Sequence, residues 1–310
     1  MHKANVDLIT GFLGAGKTTF IQKYLSFCPE NERTVVIENE FGRAGVDASI
    51  LERQNVTVKQ LAGGCICCGQ KVNFHDLLLL LAEKYDRILI EPSGIYTLED
   101  FYDIMETPAI QQCCTVANIL MIVDPLQLTD LDAESEKVVY SQLSGAGHIV
   151  VSKAGIENVN PQDTIKRLQE ILEKHGNHGR KVEEYITFEH WNTLDFGKLM
   201  HCGYYRNRIN LPKQDHSYLF SSITIAPVLK NEDDLEELLN RALQGEWGEI
   251  VRMKGYLSLQ NGETYQINCT PHDRLVLRVD NAADKRVNLI GRSIDRNAIK
   301  NFLHHISNPV

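Results

Sequence analysis

The stretch Gly11-Phe12-Leu13-Gly14-Ala15-Gly16-Lys17-Thr18, followed by Thr19, fills every demanded position of the pattern G-x-x-x-x-G-K-[ST]. Such a loop works only between a strand and a helix, so it restricts the folds open to the chain. Residues 4–9 have the apolar bias of a short strand, and 19–24 can continue as a helix. Gly11, Gly14 and Gly16 let the backbone aim N–H groups at phosphate oxygens, and the helix start adds a dipole that favours anions. Lys17 then reaches the terminal phosphates and Thr18 ligates Mg²⁺, with Ala15 and Thr19 completing the loop. A nucleoside triphosphate is the expected ligand.

Apolar, β-branched runs recur at 34–37, 56–58, 87–90, 116–123 and 148–151, separated by segments long enough for helices. That alternation predicts an α/β fold of the P-loop NTPase type, a mostly parallel sheet flanked by helices. Helices are expected over 73–85, with a broad Leu face, and over 161–175, capped by Asn160 with Pro161 in its first turn. The pattern lapses into basic and polar residues near 203–216, around Pro212. We therefore expect a nucleotide domain over 1–205, a linker over 206–216 and a smaller α+β domain over 217–310. In the last, 218–225 reads as a strand and 232–243 as a helix, and 256–259 with 264–268 as a hairpin around Asn261-Gly262. Strands near 275–279 and 287–290 and a helix capped by Asp295 follow.

The 310 residues are 43% apolar, enough for proper cores, and carry a formal charge of -9. That balance argues against nucleic acid or an anionic membrane as the main partner, since both reward clustered Lys and Arg. The apolar run at 77–82 is too short to span a bilayer. Because the strand feeding the phosphate loop starts within the first residues, no cleaved leader is expected, and the expected location is cytoplasmic. There, eight Cys point to free thiols or metal ligands rather than disulfides.

Three of those thiols fall within four residues, in Gly63-Gly64-Cys65-Ile66-Cys67-Cys68-Gly69. In an extended segment Cys65 and Cys67 project to one face, and Cys68 can swing round if the chain turns at Gly69. Deprotonated, they offer a soft anionic cradle suited to Zn²⁺, and able to hold Co²⁺ or Ni²⁺, with a fourth position left for another residue or a partner. The competing readings are inert buried thiols or a redox pair. Cys113 and Cys114 read as small buried thiols ahead of the strand at Val116. His75, His148 and His201 read as surface or core histidines, and Cys28, Cys202 and Cys269 stand alone.

The phosphate loop, Glu38-Asn39-Glu40-Phe41-Gly42 with Asp47 following, Gly64-Cys65-Ile66-Cys67-Cys68, and Glu91-Pro92-Ser93-Gly94 occur in this order. Together they resemble the CobW-like P-loop GTPases, kin to the nickel chaperones UreG and HypB. Lys254-Gly255-Tyr256-Leu257 and Ile290-Gly291-Arg292-Ser293-Ile294-Asp295-Arg296 also look like the C-terminal domain of that family. The resemblance implies a GTP-hydrolysing metallochaperone that delivers zinc, with cobalt or nickel as alternatives, to a metal-requiring client protein. A homodimer is compatible with it. Glu91, at the end of its strand, is expected to hold Mg²⁺ directly or through water, and Gly94 lets its loop approach the γ-phosphate. Glu38, Glu40 and Asp47 lie on the stretch that resembles the first switch. One of them would orient the attacking water and one would join the Mg²⁺ shell, while Glu38 can instead complete the thiol site.

In the base-recognition segment the family tends to carry [NST]-K-x-D, whereas this chain has Ser152-Lys153-Ala154-Gly155. Lys153 can lay its stem over the base, but Gly155 has no carboxylate to accept from guanine, and Glu157 is the nearby substitute. GTP is expected first, with ATP as the alternative. Two other classes fit the motifs: a nucleotide-dependent kinase or ligase with structural cysteines, and a nucleotide-binding metal sensor or buffer.

Overall fold

The computed structural model describes residues 3–38, 57–60, 71–129, 131–155, 159–206, 221–271, 273–280, 282 and 285–307. Glu40, Asp47, Cys65, Cys67, Cys68, Glu157 and residues 207–216 of the linker expected over 206–216 lie outside them. Two compact units divide the chain, the first reaching Gln214 and the second beginning at Asp215 apart from a short segment at 41–44.

The first unit is built on seven strands: β1 (Ala4–Thr10), β2 (Thr34–Glu38), β3 (Thr57–Gln60), β4 (Arg87–Glu91), β5 (Cys114–Val123), β6 (His148–Val151) and β7 (Ile186–Thr187). Their order is β3-β2-β4-β1-β5-β6-β7, and every pairing is parallel. A parallel sheet must be covered on both faces, which is why these strands read as nearly unbroken apolar runs. Alternation within them still decides which layer each side chain joins. Ile88 and Ile90 pack with Phe74 and Leu78 of helix α2 (Lys71–Ala82) and Phe101 of α3 (Leu98–Met105). Leu89, between them, faces Phe20 and Tyr24 of α1 (Lys17–Leu25) and Phe196 of α7 (Phe196–Leu199). Helices α5 (Ala133–Gly145) and α6 (Pro161–Lys174) bury Tyr140, Leu168 and Ile171 against Met121 and Ile149, and α4 (Pro108–Cys113) leads into β5.

Several boundaries differ from the sequence reading, each for a local reason. Helix α1 begins at Lys17 rather than Thr19, because Gly16 at φ 99° serves as its cap. Helix α2 starts at Lys71 and stops at Ala82, where the N–H groups of Lys84 and Tyr85 turn back to Leu81 O. Asn160 caps α6 by accepting from Gln162 N, as expected, and the helix closes at Lys174 with His175 as its cap. The strand expected from Val116 already starts at Cys114, so Cys114 is buried within it while Cys113 ends α4 half-buried. Glu38 is the last residue of β2 rather than a member of the stretch that follows, and Glu91 closes β4 as expected.

An acidic residue sits inside the sheet. Asp7, fully buried in β1, accepts from Arg87 Nη1, from Asn118 Nδ2 at 2.7 Å and from Tyr24 Oη at 3.1 Å. Arg87 also pairs with Glu32 through Nε at 2.7 Å. Burial pushes the Asp7 carboxyl up, and Arg87, Asn118 and Tyr24 pull against it by charge and hydrogen bonding. Asp7, Arg87, Asn118 and Tyr24 thus satisfy one another in a nearly dry setting, as a buried charge requires.

The second unit pairs β12 (Asp273–Val279), β11 (Thr264–Thr270), β10 (Glu249–Leu259), β13 (Val287–Arg292) and β8 (Ser221–Ile225) in that order, all antiparallel. Short β9 (Val228–Leu229) adds a parallel pairing to β10. Helices α8 (Glu232–Leu243) and α9 (Arg296–Ser307) contribute Leu235, Leu238, Leu239, Ile299 and Phe302 to its core. The hairpin turn falls at Asn261-Gly262, with Gly262 at φ 90°, and the strands flanking it are longer than expected. Asp295 caps α9 by accepting from the N–H groups of Asn297 and Ala298.

Candidate nucleotide and metal site

The phosphate loop joins the end of β1 to the start of α1, at the carboxyl edge of the sheet where open α/β folds bind ligands. Lys17 is 3% exposed, and its Nζ donates to Gly11 O at 2.9 Å and to Phe12 O at 3.2 Å. The ammonium therefore lies over its own loop, where arriving phosphate oxygens would replace two carbonyls as its acceptors. Thr18 is half-buried, and its Oγ1 donates to Glu91 Oε1 at 2.6 Å, joining residues 73 apart in sequence. Glu38 is the register partner of Glu91 across β2 and β4, and the two carboxylates are 5% and 4% exposed.

Two carboxylates at adjacent strand ends and a threonine hydroxyl bring hard oxygen donors to one edge of the sheet. The donors are a hydroxyl and carboxylate oxygens, the hard ligands that Mg²⁺ takes, so the residues present fit that ion.

The loop after β4 lies on the phosphate loop. A Cβ placed on Gly94 would fall 2.6 Å from Leu13 Cα and 2.8 Å from Phe12 C, and closer still to Leu13 N. Only a glycine permits that approach. Two glutamines that the sequence reading did not single out fix this geometry. Gln142 of α5 donates through Nε2 to Gly94 O at 3.1 Å and Tyr96 O at 2.9 Å. Gln127, in a short 3₁₀ turn at Pro125–Gln127, donates to Leu13 O at 2.8 Å. Neither belongs to a spaced motif; each declares itself only by bonding a backbone carbonyl of a loop distant in sequence.

On the other side of β1 lies the segment expected to read the base. Ser152 is buried, and its Oγ donates to Val123 O at 3.2 Å. Lys153 has φ 56° and its Nζ lies 3.0 Å from Asp124 Oδ2, at the end of β5. A side chain added at Gly155 would meet nothing within 4 Å. Trp191, in the loop between β7 and α7, was also missed. Its Nε1 donates to Val151 O at 3.1 Å, and a Cβ on Gly16 would sit 3.2 Å from its Cη2. The signal available was compositional, since the chain has only two tryptophans.

Among the described residues no group of three or more His, Cys, Asp or Glu is placed to hold a metal. His75 Nδ1 faces Asp76 at 3.1 Å and His201 is exposed. Burial lowers the pKa of His148. Burial also pushes Cys28, Cys114 and Cys202 up to about 12, which suits packing rather than ligation.

Compared with known proteins, residues 5–182 match the CobW/HypB/UreG nucleotide-binding domain, and residues 225–307 match the cobalamin synthesis protein cobW C-terminal domain. The zinc chaperone YeiR of Escherichia coli is 34% identical over 163 residues, 52% of this chain and 50% of that protein. The zinc chaperone CobW of Pseudomonas aeruginosa is 36% identical over 136 residues, 40% of this chain and 36% of that protein. These matches span half or less of the relatives' own length. Among solved structures, the Zn(II)-bound YjiA GTPase of Escherichia coli aligns over 99% of both chains at 17% identity, with a TM-score of 0.44. With more than half of its residues matched by the nucleotide-binding domain, this chain belongs to the CobW/HypB/UreG family.

Proposed function

We propose that this chain is a metallochaperone that hydrolyses a nucleoside triphosphate, GTP first, and hands a transition metal to a metal-requiring client protein. Zinc is the first choice of cargo, with cobalt or nickel as alternatives, and Cys65, Cys67 and Cys68, with Glu38, are its proposed ligands. The observation that carries the reading is the Thr18–Glu91 hydrogen bond, which ties the phosphate loop to the strand end that also adjoins Glu38. Family membership supports it, as do relatives named zinc chaperones in Escherichia coli and Pseudomonas aeruginosa.

In this scheme Gly11, Gly14, Ala15, Gly16 and Thr19 present backbone N–H groups to the phosphates, and Lys17 exchanges its carbonyl acceptors for phosphate oxygens. Thr18 and Glu91, with Asp47, hold Mg²⁺, which when bound neutralises charge on the phosphates. Glu40 orients the attacking water, and Gly94 brings its loop against the γ-phosphate. The cysteine segment lies in sequence between Glu38 and Glu91, so loop order set by the nucleotide can change how the thiols gather. Segment 206–216 acts as the linker between a nucleotide domain and a C-terminal domain, and the site of action is cytoplasmic. No described helix is long and apolar enough to cross a membrane. The charge of -9 speaks against nucleic acid as a partner.

The test is a Zn²⁺ titration of reduced protein against a competing chelator, with Mg²⁺ plus either a non-hydrolysable GTP analogue or GDP. Binding should be tighter with the analogue, and lost in a Cys65/Cys67/Cys68→Ser variant. Linkage demands that Zn²⁺ strengthen analogue binding by the same factor. Equal Zn²⁺ affinity in the two nucleotide states would leave a hydrolase whose cysteines serve structure or storage.

A further inference from the structure

The sheet gives a bound nucleotide a direction. Glu91 and Gly94, the groups assigned to Mg²⁺ and the γ-phosphate, lie at the end of β4 and in the loop after it, on one side of β1. The nucleoside must then extend to the other side, over the ends of β5, β6 and β7. There, among the described residues of the segment expected to read the base, each side chain that could hydrogen-bond is engaged or missing. The Ser152 hydroxyl is given to Val123 O, the Lys153 ammonium pairs with Asp124, and Gly155 has no side chain. What remains is a π surface. Trp191 is half-buried beside Gly16 and near Ser152, since a Cβ on Gly16 would lie 3.2 Å from the indole and 3.8 Å from Ser152 Cβ.

The indole is also fixed in place. Its Nε1 is hydrogen-bonded to Val151 O, and its ring meets Phe20 edge-on, with centroids 5.5 Å apart and planes at 80°. The adjacent Asn192 accepts from Lys23 Nζ at 2.6 Å, tying the loop to α1. A half-buried ring fixed by its own N–H, by Phe20 and by its loop's tie to α1 is a stacking platform that needs little ordering when a base arrives.

We infer that Trp191 forms one wall of the base slot, opposite the stem of Lys153, and that stacking, rather than a carboxylate acceptor, supplies most of the grip on the base. The inference rests on the nucleotide reading above and concerns its specificity. Every base offers a π face, so stacking tolerates guanine and adenine alike. GTP and ATP should therefore bind within about tenfold of each other, because Gly155 has no carboxylate to separate them.

Calorimetry of the full chain with GTP, ATP and inorganic tripolyphosphate, each with Mg²⁺, tests this alongside Trp191→Leu and Trp191→Phe. Trp191→Leu should weaken both nucleotides by about 5- to 100-fold, the usual worth of one stacked base. Trp191→Phe, which keeps a ring, should recover to within about threefold, and tripolyphosphate should bind all three proteins equally. Nucleotide affinity unchanged in Trp191→Leu, or GTP more than about 100-fold tighter than ATP in the parent chain, would overturn the inference. If none of the three ligands binds, the nucleotide reading itself falls. Should the Leu variant fail to fold, tryptophan emission decides. GTP and ATP should both change it in the parent and leave it unchanged in Trp191→Phe, where Trp247 remains, and a parent signal that ignores both nucleotides refutes the platform.

Discussion

Replacing Gly94 by alanine isolates the contact between the two loops that meet at the phosphates. The backbone of Gly94 lies outside the left-handed region, so alanine can adopt its conformation and only the added methyl matters. That methyl would stand 2.6 Å from Leu13 Cα and 2.8 Å from Phe12 C, where ordinary contacts begin near 3.4 Å. The loops must part by about 1 Å, and neither neighbour is a side chain that can swing away. Overpacking of this kind costs about 1–3 kcal/mol. For a unit of this size that lowers Tm by about 2–12 °C. A displacement of 1 Å at reacting groups can cost about 100-fold in rate, so phosphate release from GTP should fall between tenfold and 100-fold. Diphosphate affinity should change less than about threefold, because Gly94 lies on the β4 side, away from the base. Melting curves, a phosphate-release assay and GDP titration read all three. A Gly94→Ala protein that melts within 1 °C of the parent and hydrolyses GTP at the parental rate would refute the close approach as a requirement.

Other consequences are simpler to state. Asp7→Ala strands the Arg87 guanidinium with Glu32 alone and should cost about 3–5 kcal/mol in urea unfolding; a loss below about 1 kcal/mol would show that the buried network adds little. Because burial holds the His148 pKa below 6.5, the unfolded chain binds a proton there that the folded chain refuses, so this residue subtracts stability as pH drops below about 6.5. His148→Gln should flatten that acid limb in melts between pH 7 and 5, and an unchanged slope would remove His148 from the account. With Cys28, Cys114 and Cys202 pushed up to about 12, native protein at pH 8 should alkylate them at least about tenfold more slowly than a free thiol. Peptide mapping after a timed iodoacetamide pulse reads each site, and fast labelling of Cys202 would contradict its packing.

Much of this site was legible because its chemistry is short-range in sequence. The phosphate loop needs eight consecutive residues, and the apolar runs around it follow from a sheet covered on both faces, so motif and fold class could be read together. Glu91 was legible for a related reason, since a carboxylate closing an apolar strand has few other uses. What escaped was whatever depends on approach between distant segments. Nothing in Gln127, Gln142 or Trp191 distinguishes them until the chain brings them to Leu13, Gly94 and Gly16. Asp7 escaped for the opposite reason: it interrupts an apolar strand, yet its partners Arg87 and Asn118 come from two other strands. The substitution of glycine for a base-reading carboxylate was visible as a gap, but its consequence was not. A missing acceptor weakens nucleotide binding only if nothing else holds the base, and an indole 3.2 Å from a Cβ on Gly16 gives this chain a second means of holding it. Loss of a specificity group and retention of nucleotide binding are therefore compatible here, since the phosphate loop and a stacking ring act on separate parts of the ligand.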